Sequence, residues 1–251
     1  EGAYGVVLRC RERATGLTVA VKKFKASDAD DEKVRKTTLR EVRLLKLLRD
    51  GPNVVTLLEA FHRAGKLYLV FEHMDRSLLQ LLRDMPDGVP VWQTRLYTYQ
   101  LLKAIGWCHA HDVYHRDIKP ENLLVNDDHA LRLCDFGLAT SAPRDSKSAP
   151  LTDYVATRWY RAPELLLGST SYAPSVDEWA VGCILGELAQ GSPAFAGDSD
   201  IDQLHLIQSA LGPLTASQHE LFMANPKYAG LKFADMSRPA GLHVMFGGHL
   251  P

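Results

Sequence analysis

The sequence predicts an α+β fold made of two unequal lobes. The first 72 residues hold short runs rich in β-branched and aromatic residues, which favour strands. From residue 76 onward, longer segments carry apolar residues at helical spacing. Because the composition changes between these parts, we expect a small N-terminal lobe over 1–72, a connection over 73–75 and a larger, mainly helical lobe over 76–251.

Charge and cysteine content limit the classes of partner and compartment. The formal net charge of −1 gives no reason to expect nucleic acid as a partner. The four cysteines are widely spread, without metal-ligand spacing or a disulfide-dense pattern, which is typical of a reducing compartment. No apolar run reaches the roughly 18–20 residues of a membrane span. We therefore expect no membrane contact and a cytoplasmic or nuclear location.

The first two predicted strands carry a pair of glycines and a lysine. Gly2 and Gly5 let the backbone approach a phosphate closely, although an ordinary hairpin turn explains them equally well. The stretch 13–16 predicts the turn into a second strand, 19–21, which ends at Lys22. An isolated lysine in this position is normally solvated, so the glycines and the lysine indicate a phosphate-binding site only when they are taken together.

A helix is predicted over 34–49, and it carries a glutamate among leucines. Glu41, Leu45 and Leu48 share one face at helical spacing. A carboxylate on an apolar face is costly unless it is paired, and Lys22 is the natural partner. The alternative is that Glu41 lies at the edge of the face and reaches solvent.

The remaining elements follow from the same periodicities and from turn residues. The long helix starting at Trp92 has Leu96, Leu102 and Ile105 among its buried candidates, and the last residues, 241–251, have no clear period and should fray. The expected order is strands at 54–61 and 66–71, helices at 77–82 and 92–110, a hairpin of 123–125 with 131–133, and helices at 176–190 and 201–211.

The stretch HRDIKPEN, residues 115–122, carries the residue types that phosphoryl transfer needs. Asp117 can orient a hydroxyl, Lys119 can neutralise transferred charge, and Asn122 with Asp135 can hold Mg²⁺. The predicted hairpin brings Asn122 and Asp135 to neighbouring strand ends, so both can reach one metal. Three nearby histidines, at 109, 111 and 115, suggest no metal site, because their spacing points them to different faces.

These stretches together resemble eukaryotic protein kinases, and among them the cyclin-dependent-kinase-like branch. The resemblance is carried by EGAYGVV, VAVKKF, LREVRLLKLL, YLVFEHM, HRDIKPENLLV, LCDFGLA, TDYVATRWYRAPELLLG and GDSDIDQL. It implies a bilobal protein-kinase-like fold and a serine/threonine kinase that uses ATP and Mg²⁺. Tyrosine kinases usually lack a lysine at the position of Lys119, and Arg158 resembles kinases that favour proline or a small residue after the acceptor.

The resemblance also implies a role for each site residue. Asp117 would be the catalytic base and Lys119 would contact the γ-phosphate, while Asn122 and Asp135 would bind Mg²⁺. The ATP-binding residues implied are Gly2 and Gly5 in the phosphate loop, the ion pair Lys22–Glu41, Val7, Ala20 and Leu124 around adenine, and the backbone of Glu72 and Met74 in the hinge, with Phe71 behind them.

Three positions resemble regulatory phosphorylation sites. Thr152 and Tyr154 form a T-x-Y pair, and Tyr4 resembles an inhibitory site in related loops. Arg40 and Arg116 stand where the family has two arginines that bind the phosphothreonine, whereas Thr140 replaces the third. We therefore expect activation through Thr152 to be weaker here, unless Arg144 substitutes.

Both ends depart from the family pattern. The first loop glycine would precede Glu1, and GLHVMFGGHLP stands where the helices that complete the C-terminal lobe would begin, so 232–251 is read as an atypical tail and the domain as truncated. In the family, Glu164 pairs with an arginine from that region. The rival function is therefore a catalytically weak, kinase-like binding module. KTTLREV stands in place of a PSTAIRE-type helix, so cyclin dependence is not predicted, and we expect a monomer with a protein substrate.

Overall fold

The predicted α+β fold is confirmed in a computed structural model, which describes residues 5–24, 32–64, 66–141, 158–169, 173–233 and 236–247. An antiparallel sheet comes first, and helices with short strand pairs follow. Four of the predicted site residues lie outside the described residues: Gly2, Tyr4, Thr152 and Tyr154.

The N-terminal sheet has the strand order β1-β2-β4-β3. Its first turn is closed by a hydrogen bond from the Glu12 N–H to the Leu17 carbonyl, 2.8 Å, and Gly16 has a φ of +74°, which suits a residue without a Cβ. The strands are β1 (Gly5–Arg11), β2 (Thr18–Phe24), β3 (Leu57–Arg63) and β4 (Lys66–Glu72).

The third strand starts later than predicted. Val54 and the residues beside it form a parallel bridge and hydrogen bonds with Leu133 of a later hairpin instead, so strand β3 begins only at Leu57. Val54 and Val55 are buried, which explains their apolar character without a place in the sheet.

Helix α1 (Glu32–Leu47) confirms the predicted shared face. Glu41, Leu45 and Leu48 are all buried, and Leu48 continues the face just past the helix end. The alternative, in which Glu41 reaches solvent, is wrong.

The C-terminal part is organised around two long helices that pack against each other. Leu101 and Ala104 from the first and Ile184 and Leu188 from the second belong to one buried core. The elements are β5 (Arg76–Ser77), α2 (Leu78–Asp84), α3 (Val91–Ala110), β6 (Val113–Tyr114), β7 (Leu123–Val125), β8 (Leu131–Leu133), β9 (Thr140–Ser141), α4 (Pro163–Leu166), α5 (Ser175–Gln190), α6 (Asp200–Leu211), α7 (Ala216–Ala224) and α8 (Leu242–Phe246).

One burial prediction for α3 is wrong. Ile105 is buried and Leu96 is partly buried, but Leu102 is 48% exposed. The buried face runs through Leu101, Ile105 and Cys108, and Leu102 lies about 100° around the helix from Leu101.

The tail is more ordered than predicted. Residues 242–246 form α8, and Phe246 is buried against Gly186 of α5, where an added Cβ would lie 2.6 Å from the phenyl ring. Two backbone bonds from Ala240 and Gly241 to the carbonyls of Ser209 and Ala210 attach the preceding residues to α6. None of the helices in the described ranges is long and apolar enough to cross a membrane.

Candidate active site

A buried carboxylate from α5 holds the loop between β6 and β7. Asp177 Oδ2 accepts hydrogen bonds from the His115 N–H and from His109 Nε2, both 2.9 Å, and its Oδ1 accepts from the Arg116 N–H, 2.8 Å. The carboxylate side chain is 1% exposed, so these bonds form in a medium that weakens them little. The loop is therefore fixed to the helical core at its first two residues.

The backbone bends sharply at this anchor. Arg116 has a φ of +67°, a left-handed conformation that is uncommon for a non-glycine residue. Its guanidinium Nε donates to the Leu138 carbonyl, 2.8 Å, which ties the loop to the segment after Asp135. The strained conformation persists because bonds on both sides of the bend hold it.

His115 packs within the loop. Its side chain is fully buried, its Nε2 lies 2.9 Å from the Cys134 carbonyl, and its ring meets that of Phe136 edge-on at 5.0 Å. The histidine therefore links the loop to the strand end that carries Asp135.

The loop presents Asp117 with one oxygen already bonded. Its Oδ2 accepts from Lys119 Nζ at 2.8 Å and from Asn122 Nδ2 at 3.0 Å. Across the part of the chain that the structure describes, no group bonds to Oδ1. One carboxylate oxygen is thus held by neighbours while the other can accept from a substrate hydroxyl.

Asn122 has the orientation that a metal ligand needs. Its amide nitrogen donates to both the backbone carbonyl and the side chain of Asp117, at 2.8 and 3.0 Å. Both amide hydrogens are therefore committed, and the amide oxygen faces away from these partners. The side chain is 5% exposed, so its orientation is fixed by packing as well.

The predicted hairpin brings Asp135 beside Asn122. Strands β7 and β8 pair with Leu123 opposite Leu133, and the Cys134 N–H donates to the Asn122 carbonyl at 2.9 Å. Asp135 follows directly, exposed and in a left-handed conformation with φ of +61°. Asp135 Oδ1 accepts a hydrogen bond from the Gly137 N–H at 3.3 Å, and Phe136 between them is buried in the core.

The predicted ion pair between β2 and α1 is present. Lys22 Nζ lies 2.8 Å from Glu41 Oε1, and both side chains are largely buried. The lysine is also 5.3 Å from the centre of the Phe24 ring. The helix face that carries Glu41 thus fixes the lysine of the sheet.

Electrostatic effects connect the lysine to Asp135. Burial lowers the pKa of Lys22, but the charges of Glu41 and Asp135 outweigh this effect, and the net pKa is raised. Burial raises the pKa of Glu41, Lys22 opposes that shift, and Asp135 adds to it. The charge of Asp135 therefore raises the pKa of both Lys22 and Glu41.

Cys134 lies between these charged groups, and it is inert as a thiol. Burial raises its pKa, and Asp135 adds to that, while Lys22 and Lys119 act in the opposite direction. The net pKa lies well above neutrality, so the reactive thiolate is not formed near pH 7.

The predicted adenine-binding side chains share one face of the sheet and the hairpin below it. Val7 stands directly opposite Lys22 in the β1–β2 register, and Ala20 lies two residues before Lys22, so all three project to the same side. Val7 is 61% exposed, and Leu124 is partly buried on β7. Val7 and Ala20 therefore lie beside Lys22 on one face of the sheet, and Gly5 begins β1.

The connection after β4 offers free backbone groups. The Glu72 N–H donates to the Thr56 carbonyl at 3.1 Å, whereas no described residue bonds to the N–H or carbonyl of Met74. The Met74 side chain is buried, which holds its backbone in place.

Arg40 and Glu164, to which the resemblance assigns ionic partners, have no such partner among the described residues. Arg40 is exposed on α1 and forms no ion pair with another residue that the structure describes. Glu164 is partly buried at the start of α4, and its carboxylate has no hydrogen-bond or ion-pair partner among the residues that the structure describes.

The matches to known proteins agree with this geometry. Residues 1–229 match the protein kinase domain family. The chain is 54% identical over 250 residues to cyclin-dependent kinase-like 5 of Mus musculus and of Homo sapiens, covering 100% of this chain and 26% of each relative. It is 47% identical over 252 residues to cyclin-dependent kinase-like 4 of Mus musculus, covering 100% of this chain and 72% of that relative. This chain belongs to the cyclin-dependent-kinase-like branch of the protein kinases.

The resemblance seen in the sequence is thus confirmed for the kinase domain. The domain spans about a quarter of the length of the cyclin-dependent kinase-like 5 relatives and about 47% of cyclin-dependent kinase-like 2 of Homo sapiens.

Sequence reasoning missed two buried supports of this kinase domain. Asp177 was seen only as a helix residue, although an acid inside the apolar run VDEWAVGCIL is a signal in itself. Glu187, further along α5, accepts a 2.6 Å hydrogen bond from the Tyr160 hydroxyl. Burial raises the pKa of Glu187 to about 7, although the bond from Tyr160 opposes the shift.

A fully buried glutamine holds the segment next to Tyr160. Gln203 of α6 donates to the carbonyls of Phe195 and Trp159, at 3.0 and 3.3 Å, and accepts from the Gly197 N–H at 2.9 Å. Arg158 lies 3.5 Å from Asp200 on the same helix. These contacts position residues 158–160 against the helical core.

Proposed function

We propose that this domain transfers the γ-phosphate of Mg·ATP to the hydroxyl of serine or threonine in a protein. The observation that carries the proposal is the arrangement around Asp117, in which Lys119 and Asn122 both bond to Oδ2 and leave Oδ1 to accept from a hydroxyl. A hydroxyl hydrogen-bonded there is oriented for in-line attack on a phosphoryl group.

Mg²⁺ fits the residues present. The oxygen of Asn122 and the carboxylate of Asp135 are hard oxygen donors, and Mg²⁺ is typically bound by one or two protein ligands together with phosphates and water. The amide nitrogen of Asn122 is committed to Asp117, which leaves its oxygen for the metal. The bound ion would neutralise charge that builds up on the phosphates during transfer.

Lys22 and Glu41 would fix the triphosphate. The ammonium group, held at 2.8 Å from Glu41, supplies a localised positive charge beside the metal-binding aspartate. Because Glu41 comes from α1, any movement of this helix would move the charge. The activity is therefore expected to depend on the position of α1.

Adenine would enter the cleft between sheet and hairpin. Val7, Ala20 and Leu124 supply its apolar walls, and the backbone of Glu72 and Met74 supplies the hydrogen bonds, so that the connection 73–75 acts as the hinge. The N–H and carbonyl of Met74, to which no residue in the described ranges bonds, support this assignment. Gly2 and Gly5 would cover the phosphates.

The choice of acceptor and the regulation are also proposals. Lys119 favours serine or threonine over tyrosine as the acceptor, and Arg158 favours proline or a small residue after it. Thr152, Tyr154 and Tyr4 would be phosphorylated, and Arg40 with Arg116 would receive the Thr152 phosphate. We further propose a monomer that acts on proteins without a cyclin, in the cytoplasm or nucleus.

The test is phosphate transfer from labelled Mg·ATP to a library of Ser/Thr-Pro peptides. We expect transfer by the wild-type chain, and a loss of at least about 10³-fold in Asp117→Asn, which removes the charge that orients the hydroxyl. Transfer that survives Asp117→Asn would refute the catalytic assignment. A wild-type chain that binds ATP or a protein partner but transfers nothing would favour the binding module, for which the supporting observation is that Glu164 has no ion-pair partner among the described residues.

A further inference from the structure

The side chain of Glu72 joins three segments of the chain at one oxygen. Its Oε1 accepts from the Thr56 N–H at 2.7 Å and from Arg132 Nε at 3.3 Å. The Glu72 N–H donates back to the Thr56 carbonyl at 3.1 Å. Glu72 and Thr56 are therefore bonded to each other twice, and the arginine binds the same carboxylate from a third segment.

Arg132 reaches this carboxylate from the hairpin under the cleft. It lies on β8 directly opposite Leu124, the residue proposed to form the floor under adenine. Its Nη1 also donates to the Leu131 carbonyl at 3.2 Å, which limits the freedom of the guanidinium. The arginine thus connects the floor of the cleft with the end of β4.

The segment before β3 is attached to the same strand. The Val55 N–H donates to the Leu133 carbonyl at 3.0 Å, and the Leu133 N–H donates to the Asn53 carbonyl at 2.7 Å. Residues 53–56 therefore lie between β8 and the Glu72 side chain. The result is a closed set of contacts from the sheet, through the connection, to the hairpin.

We propose that Arg132 is a positioning residue for ATP, acting through the Glu72 carboxylate. The Arg132–Glu72–Thr56 contacts, which we call the hinge clamp, fix the peptide groups that follow β4 in the orientation that adenine requires. Arg132 itself touches no nucleotide. This inference rests on the proposed function, because it assigns the effect of the clamp to ATP binding.

A plain surface ion pair is the simpler interpretation, and it predicts a different result. The side chains of Arg132 and Glu72 are 29% and 26% exposed, and ion pairs of this exposure contribute little to stability. The hinge clamp differs from a plain surface pair because Arg132 and the Thr56 N–H bond to the same oxygen of Glu72. Loss of Arg132 therefore also loosens the carboxylate that holds the Thr56 N–H. A surface pair alone would leave nucleotide affinity unchanged.

Four variants separate the two bonds. Arg132→Met removes the ion pair and Glu72→Gln removes the charge while its amide oxygen still accepts from Thr56, so each should weaken binding of a non-hydrolysable Mg·ATP analogue by about 2–5-fold. Glu72→Ala removes both bonds and should weaken binding by about 10-fold. Arg132→Lys keeps the charge without the planar donor and should fall between wild type and Arg132→Met.

The matched controls are Arg95→Met and Glu59→Gln, which remove the same groups at exposed positions on α3 and β3. Calorimetric titration gives the affinities. In the transfer assay, the KM for ATP of Arg132→Met and Arg132→Lys should rise with the dissociation constant, while their kcat at saturating ATP and their KM for peptide stay within about 2-fold of wild type. Nucleotide affinities of Arg132→Met and Glu72→Ala equal to those of the controls would overturn the clamp.

Hydrogen exchange in the nucleotide-free protein tests the clamp without ATP. The Thr56 amide should exchange at least about 10-fold faster in Glu72→Ala, since it loses its acceptor, and less so in Arg132→Met. Unchanged exchange at Thr56 in both variants would also reject the clamp. If the wild-type chain binds no nucleotide, the proposed function and the role of the clamp in ATP binding are both rejected. Exchange at Thr56 would still decide whether the Arg132–Glu72–Thr56 contacts exist.

Discussion

The anchor of the catalytic loop gives the sharpest prediction. Asp177→Asn keeps the shape of the side chain but replaces one acceptor oxygen by an amide that can only donate. Three donors face this carboxylate: the N–H groups of His115 and Arg116 and the imidazole of His109. At most two of them can keep an acceptor, and the third then faces another donor.

The magnitude follows from what is lost. A hydrogen bond to a charged acceptor contributes about 1.5–3 kcal/mol, and the left-handed conformation of Arg116 costs about 1–3 kcal/mol unless its surroundings hold it. We expect the free energy of unfolding to fall by about 3 kcal/mol, which lowers Tm by about 6–12 °C for a chain of this size. A loop displaced by about 1 Å should lower kcat by about 10²-fold.

The assay combines thermal unfolding with initial rates of peptide phosphorylation below the transition. The control is Glu178→Gln, which makes the same chemical change at an exposed neighbour on α5. The affinity for Mg·ATP should change far less than kcat, because the anchor acts on the loop that carries Asp117. A kcat within about 3-fold of the control would refute the view that Asp177 orients that loop.

Three further predictions concern stability. The pKa of Glu187 is raised to about 7 from 4.5, so this residue stabilises the fold fully below about pH 4.5 and loses that effect as the pH rises to about 7. The free energy of unfolding of the wild-type chain should therefore fall over this pH range by up to about 3 kcal/mol more than that of Glu187→Gln. Equal pH profiles of the two proteins in urea unfolding would contradict this prediction. Gly51→Ala puts a Cβ 2.3 Å from Trp107 and should cost about 1–3 kcal/mol; wild-type stability would show that the contact relaxes freely. Phe246→Ala should lower the free energy of unfolding by about 3 kcal/mol. An unchanged Tm in this variant would indicate that α8 frays, as the sequence predicts.

The parts of the site that the sequence predicts are those set by short-range spacing. Lys22 ends a strand pattern and Glu41 lies on a helix face with two leucines, so periodicity predicts their elements, whereas their pairing is favoured only by the two residues taken together. The hairpin between Asn122 and Asp135 needs only two strands and a turn. The structure confirms these elements because neighbouring residues in the sequence determine which face of a helix or strand each side chain occupies.

The rest depends on partners far away in the sequence. The apolar run around Asp177 can indicate that this acid is buried, but an acid in the first turn of a helix is also expected from the helix dipole alone, so nothing local shows that Asp177 holds a loop more than 60 residues earlier. Val54 and Val55 look like strand residues, but Leu133 accepts from the Val55 N–H and donates to the Asn53 carbonyl, which makes Val54 part of a parallel bridge outside the sheet. Phe246 is buried because Gly186 leaves room for a ring, which no local pattern can indicate.

The proposed convergence of Lys22, Asn122 and Asp135 on one Mg·ATP is tested most directly by the magnesium dependence of ATP affinity. Calorimetric titration of the wild-type chain and of Asp135→Asn, each with and without Mg²⁺, gives four dissociation constants. We expect Mg²⁺ to tighten ATP binding to the wild-type chain and to have little effect on the variant. An equal gain from Mg²⁺ in both proteins would contradict the assignment of Asp135 to the metal.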